Sequence, residues 1–283
     1  MPAPGRAWAV GYYESGKFAQ NTLIELFSGG TWAVVPSPNP SRTHNILYGV
    51  AAISDQDVWA VGAQQDASGL WHTLTEHWDG SGWSVVPSVD PGAGGNQFYA
   101  VKANGPNDVY AVGQQAGSGF PNTALIEHWE TAWSVLASPP DASATILPLG
   151  VTATDSTLTV VGQRETDTAP YTTYVAAGAP SALTIQSTPN IAGEENDLFG
   201  AVTAADGTTW TVGWALDITP SVHAPLILKG VHGEWSAAAN PRFPNLDSGL
   251  EAIAAVPGGG LWAVGVTSSA TTESYTTLIE YHP

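Results

Sequence analysis

Asp57-Val58-Trp59-Ala60-Val61-Gly62, "DVWAVG", has the β-branched and aromatic character of a short strand closed by a glycine. Its weight lies in recurrence. Variants stand at Ala7 ("AWAVG"), Asp108 ("DVYAVG"), Leu158 ("LTVVG"), Thr209 ("TWTVG") and Leu261 ("LWAVG"). The closing glycines are Gly11, Gly62, Gly113, Gly162, Gly213 and Gly265, spaced by 51, 51, 49, 51 and 52 residues. A period this regular marks a repeat architecture.

Three further phrases keep the period. "TLIELF" at Thr22 matches "TLTEHW" at Thr73, "ALIEHW" at Ala124 and "TLIEYH" at Thr277. "TWAVVPSPNP" at Thr31 matches "GWSVVPSVDP" at Gly82, "AWSVLASPPD" at Ala132 and "EWSAAANP" at Glu234. "YGVAAIS" at Tyr48 matches "YAVKANG" at Tyr99, "LGVTATD" at Leu149 and "EAIAAVP" at Glu251. Each unit therefore holds four short runs, a to d, joined within the pairs a–b and c–d by tight turns such as "SDQD" and "WDGSGW". Four antiparallel strands per ~50 residues describe a blade of a β-propeller.

The expected fold is all-β: a β-propeller of four-stranded antiparallel blades, with six blades favoured over five. The strand count is 22, read as b-c-d, four complete units and a final a-b-c. A single domain over 1–283 is expected, with units at about 1–40, 41–91, 92–141, 142–190, 191–241 and 242–283. The four-part pattern resembles the Kelch class of β-propeller, through the apolar strand a, Trp59 and Gly62 in strand b, Trp78 ending c and Trp83 opening d. Kelch repeats end strand b with a glycine pair, where this chain has a single glycine. The tryptophan-rich units are also similar to tachylectin- and tectonin-type propellers, a resemblance that implies sugar binding.

Composition narrows the function. Seven Lys and Arg stand against 25 Asp and Glu, a net charge of −18. The seven cations are scattered singly, whereas nucleic acids and anionic lipids call for clustered ones. No nucleic-acid partner is expected. There is no cysteine, hence no disulfide, thiolate metal site or cysteine nucleophile. No apolar run reaches the ~18–20 residues of a membrane span, so no membrane insertion is expected. The start "MPAPGRAWAVG" shows no basic-then-apolar leader, and the low-charge, Trp/Thr/Ser/Gly-rich makeup suggests a secreted or cell-surface bacterial protein.

In a meander the b–c and d–a loops share one face. They are long and different in every unit, from "YYESGKFAQN" to "WALDITPSVHA", so this face is the expected seat of function. Residues following the strand-b glycine are expected at the channel mouth: Tyr12, Tyr13, Gln64, Gln65, Gln114, Gln115, Gln163, Arg164 and Trp214. Trp71, Phe120, Tyr171, Asn45 and Asn96 complete the inventory. Aromatics beside amides suit a sugar, whose ring face stacks while its hydroxyls accept and donate hydrogen bonds. The leading reading is a non-enzymatic module for a glycan or other surface polymer. Two alternatives stand: a protein-interaction or self-assembly module using unpaired terminal strands, and an enzyme with Asp66, Asp217 or Arg164 at the channel mouth.

The strand-b aromatics Trp8, Trp59, Tyr110, Trp210 and Trp262, and the strand-d residues Trp32, Trp83, Trp133 and Trp235, are expected to be wedges between blades. The fourth unit has Thr159 and Leu183 instead, so looser packing is expected there. Glu25, Glu76, Glu127 and Glu280 share one position in strand c and are expected to be partly buried against backbone N–H groups. The seven histidines show no metal-ligand spacing. The loops "DPGAGGN" and "AGEEND" resemble at most weak calcium ligands, and no cofactor or metal is expected.

Overall fold

The computed structural model describes residues 3–16, 19–117, 121–167, 169–190, 195–217, 222–240, 243, 246–269 and 274–283. Every regular element among them is a β-strand. The chain divides into two compact units, Met1–Ser138 and Pro139–Pro283.

The first unit opens with three strands, β1 (Ala7–Ser15), β2 (Ala19–Ser28) and β3 (Thr31–Val34). Two complete meanders follow. One is β4 (His44–Ser54), β5 (Asp57–Gln65), β6 (Trp71–Trp78) and β7 (Trp83–Val85). The other is β8 (Gly95–Gly105), β9 (Asp108–Ala116), β10 (Thr123–Trp129) and β11 (Trp133–Val135). A single parallel bridge, Gln20 to His44, joins the first two sheets.

The second unit mirrors this order. It contains β12 (Thr145–Ala153), β13 (Leu158–Thr166), β14 (Ala169–Ala179) and β15 (Ala182–Ile185), then β16 (Asn196–Thr203), β17 (Thr209–Asp217), β18 (Val222–Val231) and β19 (Glu234–Ala237). Three strands close it: β20 (Asp247–Ala255), β21 (Leu261–Ser269) and β22 (Ser274–His282). The order b-c-d, four times a-b-c-d, then a-b-c is the one the repeat predicts, and all 22 strands are present. These sheets are the blades of a β-propeller.

The repeated glycine has a different role from the expected one. Strand b does not end at Gly62 but continues to Gln65, and its counterparts continue to Ala116, Thr166, Asp217 and Ser269. Gly62 sits opposite a β-bulge in strand a, where the register slips between Leu47 and Gly49. A Cβ on Gly62 would collide with the Ile46 carbonyl oxygen and lie 2.8 Å from Leu47 Cα. Gly113, Gly162, Gly213 and Gly265 face the same obstruction, from the carbonyls of Gln97, Leu147, Asp197 and Gly249. Gly11 belongs to the sheet without a strand a, and nothing lies within 4 Å of its would-be Cβ. The glycine is thus required by the bulge, not by a turn.

The wedge role holds for Trp8, Trp59, Trp83 and Trp133, whereas Trp32 and Trp262, expected to be wedges as well, are 50% and 47% exposed. Trp8 of β1 packs on Trp78 and Trp83 of the next sheet, with ring centroids 5.3 and 5.4 Å away. Trp59 of β5 repeats the arrangement on Trp129 and Trp133 at 4.7 and 5.3 Å. Each indole thereby joins the core of its own blade to that of its neighbour. Within a blade the strand-b ring also meets a cross-strand partner in c: His77 lies 4.4 Å from Trp59, and His128 stacks on Tyr110 at 4.4 Å. Asp57 and Asp108 fix those imidazoles at 2.8 Å.

A second repeated device fastens the d–a loops. Asn39, Asp90 and Asn190 each accept the backbone N–H of a strand-c threonine (Thr22, Thr73, Thr173) at 2.8–2.9 Å. The same threonine hydroxyls bond Ser37, Ser88 and Thr188 at 2.7–2.8 Å. The code is a hydroxyl residue and, two positions on, Asn or Asp, as in Ser37-Pro38-Asn39. Replacing Asn190 with alanine leaves the Thr173 N–H without its acceptor and is expected to destabilise by about 1–2 kcal/mol in urea denaturation.

Candidate ligand-binding surface

The bulge that demands glycine in strand b also extrudes one residue from strand a. Equivalent register slips occur at Phe98/Ala100, Pro148/Gly150, Leu198/Gly200 and Leu250/Ala252. The residues set free are Tyr48, Tyr99, Leu149, Phe199 and Glu251. Bulges re-aim side chains in this way next to functional sites. Small residues follow each one, and neighbouring a strands approach closely there: a Cβ on Gly49 would lie 3.2 Å from Ala100 Cα.

In the first unit the freed residues form a tyrosine row. Tyr48 and Tyr99 stand with centroids 5.4 Å apart and planes at 53°. Tyr12 adjoins Tyr48; burial first, and then this neighbouring phenol, push the Tyr48 hydroxyl above its ordinary pKa. Tyr48 nevertheless exposes 44% of its surface and Tyr12 47%. A hydrogen-bond chain runs beside the rings. Asn122 Nδ2 donates to Gln114 Oε1 (3.4 Å), Gln114 Nε2 to the Tyr99 hydroxyl (3.0 Å), and that hydroxyl to Gln97 Oε1 (2.8 Å). The surface therefore offers aromatic faces edged by amides and phenols.

Of the residues singled out from sequence, Tyr12 and Gln114 belong to this constellation, and Tyr13 lies beside it in β1, 48% exposed. Tyr48, Tyr99 and Gln97 were missed. Others serve the loops. Gln65 Nε2 donates to the Gly69 carbonyl. Gln64 pairs with His72 and Gln115 with Asn96 and Thr123 in the strand registers, both glutamines half-buried. Trp71 packs against His44 at 5.8 Å. The expectation for Asn96 is corrected. It is 2% exposed, and both ends of its amide close on Gly92 at 2.9 Å, so it shapes a loop and is buried away from any ligand. Asn45 does the same with Ser41.

In the second unit Arg164 is held by Asp141 (2.6 Å) and Ser143 (3.1 Å), as a clamp between strand b and its d–a loop. Trp214 stands edge-on to His223 at 4.1 Å and 6.1 Å from Phe199. Asp197 of β16 is buried, and burial, then Glu195, push its carboxyl up to about 7. Phe120 and the side chain of Asp217 lie outside the described residues.

The candidate catalytic groups are engaged elsewhere. Asp66 is capped by the Ser68 hydroxyl (2.7 Å), His72 (3.2 Å) and the Leu70 N–H (3.0 Å), which hold its carboxyl far below the usual range. His72 also meets Asp90 at 3.1 Å. Partial burial works against its charge, and the two carboxylates outweigh it, raising its pKa. This histidine ties the b–c loop of its blade to the d–a loop. Among the described residues no group of three or more His, Asp or Glu is arranged to hold a metal ion.

No family model matches the chain, and no curated protein matches it. Solved structures do. An α-L-arabinanase of Penicillium chrysogenum complexed with arabinobiose aligns with a TM-score of 0.58 at 13% identity, over 98% of this chain and 89% of that one. YCF48 bound to D1 peptide gives 0.55 at 14% identity, over 97% and 78%. A subtype N11 neuraminidase-like protein (H18N11) from a flat-faced bat isolate gives 0.50 at 10% identity, over 98% and 82%. At these identities the likeness is one of fold, and the fold is the β-propeller.

Proposed function

We propose that the chain is a Kelch-like, non-enzymatic extracellular binding module that takes a glycan on the surface bearing the tyrosine row. The observation that carries this reading is the extrusion of Tyr48 and Tyr99 beside the Asn122–Gln114–Tyr99–Gln97 chain. Sugar rings present apolar C–H faces to aromatic planes and hydroxyls to amides, and both kinds of group stand here side by side. The arabinanase complex supports the reading in kind, since a propeller of similar fold holds a short sugar.

The test is glycan-array binding followed by calorimetry on the best hit. Tyr99→Ala removes a stacking face and breaks the chain at its centre, and is expected to weaken binding at least ~10-fold, about 1.4 kcal/mol. Gln114→Ala removes one donor and is expected to weaken it by a smaller factor. A folded Tyr99→Ala protein that binds as the parent does would remove the reading.

Self-association is the second reading, favoured by the outer face of the last sheet. Trp262 and Val264 of β21, with Ile279 and Tyr281 of β22, are 40–60% exposed along one face. Trp262 occupies the wedge position, and its ring meets Tyr281 of its own sheet at 4.9 Å. In the first unit Trp32 and Val34 of β3 are equally bare, 50% and 63% exposed. A wedge on one copy and a bare strand-d tryptophan on another form a heterologous pair. Sedimentation that is monomeric at all concentrations would end this reading.

A further inference from the structure

The wedge pattern fails at one junction inside the second unit, and the failure leaves a cavity. In the register of β13 and β14, Thr159 stands where Trp59 stands in β5, Ala177 where His77 stands, and Gly178 where Trp78 stands. In the following blade Gly230 replaces Trp129, while Trp235 is retained in place of Trp133. Three rings of the filled junction are thus absent together: the wedge, its cross-strand imidazole and the strand-c indole of the next blade. A cavity of about 390 Å³ occupies the site, lined by Thr159, Ala177, Gly178, Gly230 and Trp235, with Gly207 and His232 at its rim.

The retained tryptophan records the loss. Trp83 and Trp133, each covered by a wedge, are 8% and 6% exposed, whereas Trp235 is half-buried. Its ring leans over Gly230, where a Cβ would come within 2.8 Å of the indole. His232 at the rim takes φ of +51° in the c–d turn, the one such non-glycine among the described residues. The cavity opens among the a–b and c–d turns. That is the opposite end of the blades from the variable loops, on the face of the tight a–b and c–d turns.

We propose that this cavity is a binding socket for a planar aromatic ring of indole size. Two arguments select that chemistry. The same junction elsewhere in the chain is filled by an indole, with walls in the same strand register: Trp8 on Trp83 and Trp59 on Trp133, both near 90°. Three of the polar side chains of the lining are also engaged within the protein, which leaves the Thr159 hydroxyl and the His232 ring as its polar contacts. The Thr157 hydroxyl bonds Thr154 (2.7 Å), the Thr209 hydroxyl bonds Thr203 (3.2 Å), and the Gln186 amide bonds Thr184 (2.9 Å). A sugar would bring hydroxyls that find few partners there, whereas an aromatic ring needs only the apolar walls and the edge or face of Trp235. Preformed cavities with predominantly apolar walls take up aromatic molecules of matching size.

The ring can belong to a free indole compound or to a tryptophan side chain of a partner chain. Ligand-observed NMR and calorimetry with indole, and with a short extended peptide carrying one tryptophan, separate the two. Indole is expected to bind with a dissociation constant on the order of 0.1–1 mM. Tighter binding of the peptide assigns the socket to a protein partner; equal or weaker binding assigns it to a small molecule. Thr159→Trp restores the repeated wedge and is expected to weaken indole binding at least ~10-fold while raising the thermal midpoint. Ala177→Leu narrows the socket from the other wall and is expected to do the same if the tryptophan variant folds poorly. Indole binding unchanged in a folded filled variant, absence of binding to the parent protein, or a hexose that binds where indole does not would each overturn the proposal. None of these outcomes touches the glycan reading, which concerns the other unit.

Discussion

Gly62→Ala is expected to destabilise the protein by about 3 kcal/mol, while Gly11→Ala changes stability by less than about 1 kcal/mol. Both glycines close the same repeated motif, and a repeat-based reading would treat them alike. The structure separates them through strand a. At Gly62 the added methyl meets the Ile46 carbonyl and Leu47 Cα, which are backbone atoms that cannot swing aside. Relief requires unmaking the bulge, which would move Tyr48 as well. At Gly11 no strand a is present and the methyl enters open space. Thermal unfolding of the two variants, with Gly113→Ala as a second obstructed case, reads the difference directly. Equal shifts at Gly11 and Gly62 would show that the bulge does not set the requirement. Because the bulge carries the tyrosine row, Gly62→Ala is also expected to weaken any ligand held there.

The architecture was legible because it is written six times. Strand order, the incomplete first and last sheets, and the wedge role of Trp8 and Trp59 all follow from phrases repeated at a fixed interval. The site was less legible. Tyr48 and Tyr99 open the apolar phrases "YGVAAIS" and "YAVKANG" and read as ordinary strand residues, because a bulge inserts no residue type of its own. Gln114 stands directly after Gly113 and is visible for that reason, whereas its partners Tyr99 and Gln97 lie across the register in strand a. The clasp of Ser37-Pro38-Asn39 on Thr22 depends on strand c running alongside, which the phrase itself does not show. Thr159 did foretell a loose junction. That the looseness is a cavity follows only from register, which places Ala177, Gly178 and Gly230 around it.

The thermal midpoint is expected to fall as pH rises from about 5 to 9. Glu76 of β6 is fully buried, both its carboxyl oxygens lack a hydrogen-bond partner, and burial pushes its pKa up to about 8. Glu127 of β10 is also fully buried. Burial raises it to about 7, although the Val89 N–H of the neighbouring blade donates to Oε2 at 3.1 Å and opposes the rise. Asp197 is raised to about 7.

A carboxyl with a folded pKa above its unfolded value of 4.5 or 3.8 holds its proton more tightly in the folded state. Its stabilising effect is complete below the unfolded pKa and is lost as pH climbs through the folded one. Each tenfold gain in proton affinity on folding is worth about 1.4 kcal/mol, so Glu76 alone contributes a change on the order of several kcal/mol between pH 5 and 9. On the acid side Asp108 and Asp141 act in the opposite sense. Burial opposes the lowering of Asp108, which Asn104 and His128 bring about, while Arg164 leads the lowering of Asp141. Their contribution is lost as pH falls below about 4, which places the optimum near pH 5. Glu76→Gln keeps the shape and removes the titration. It is expected to leave the midpoint at pH 5 nearly unchanged and to raise it at pH 9, and a variant curve parallel to that of the parent would show that Glu76 does not carry the effect.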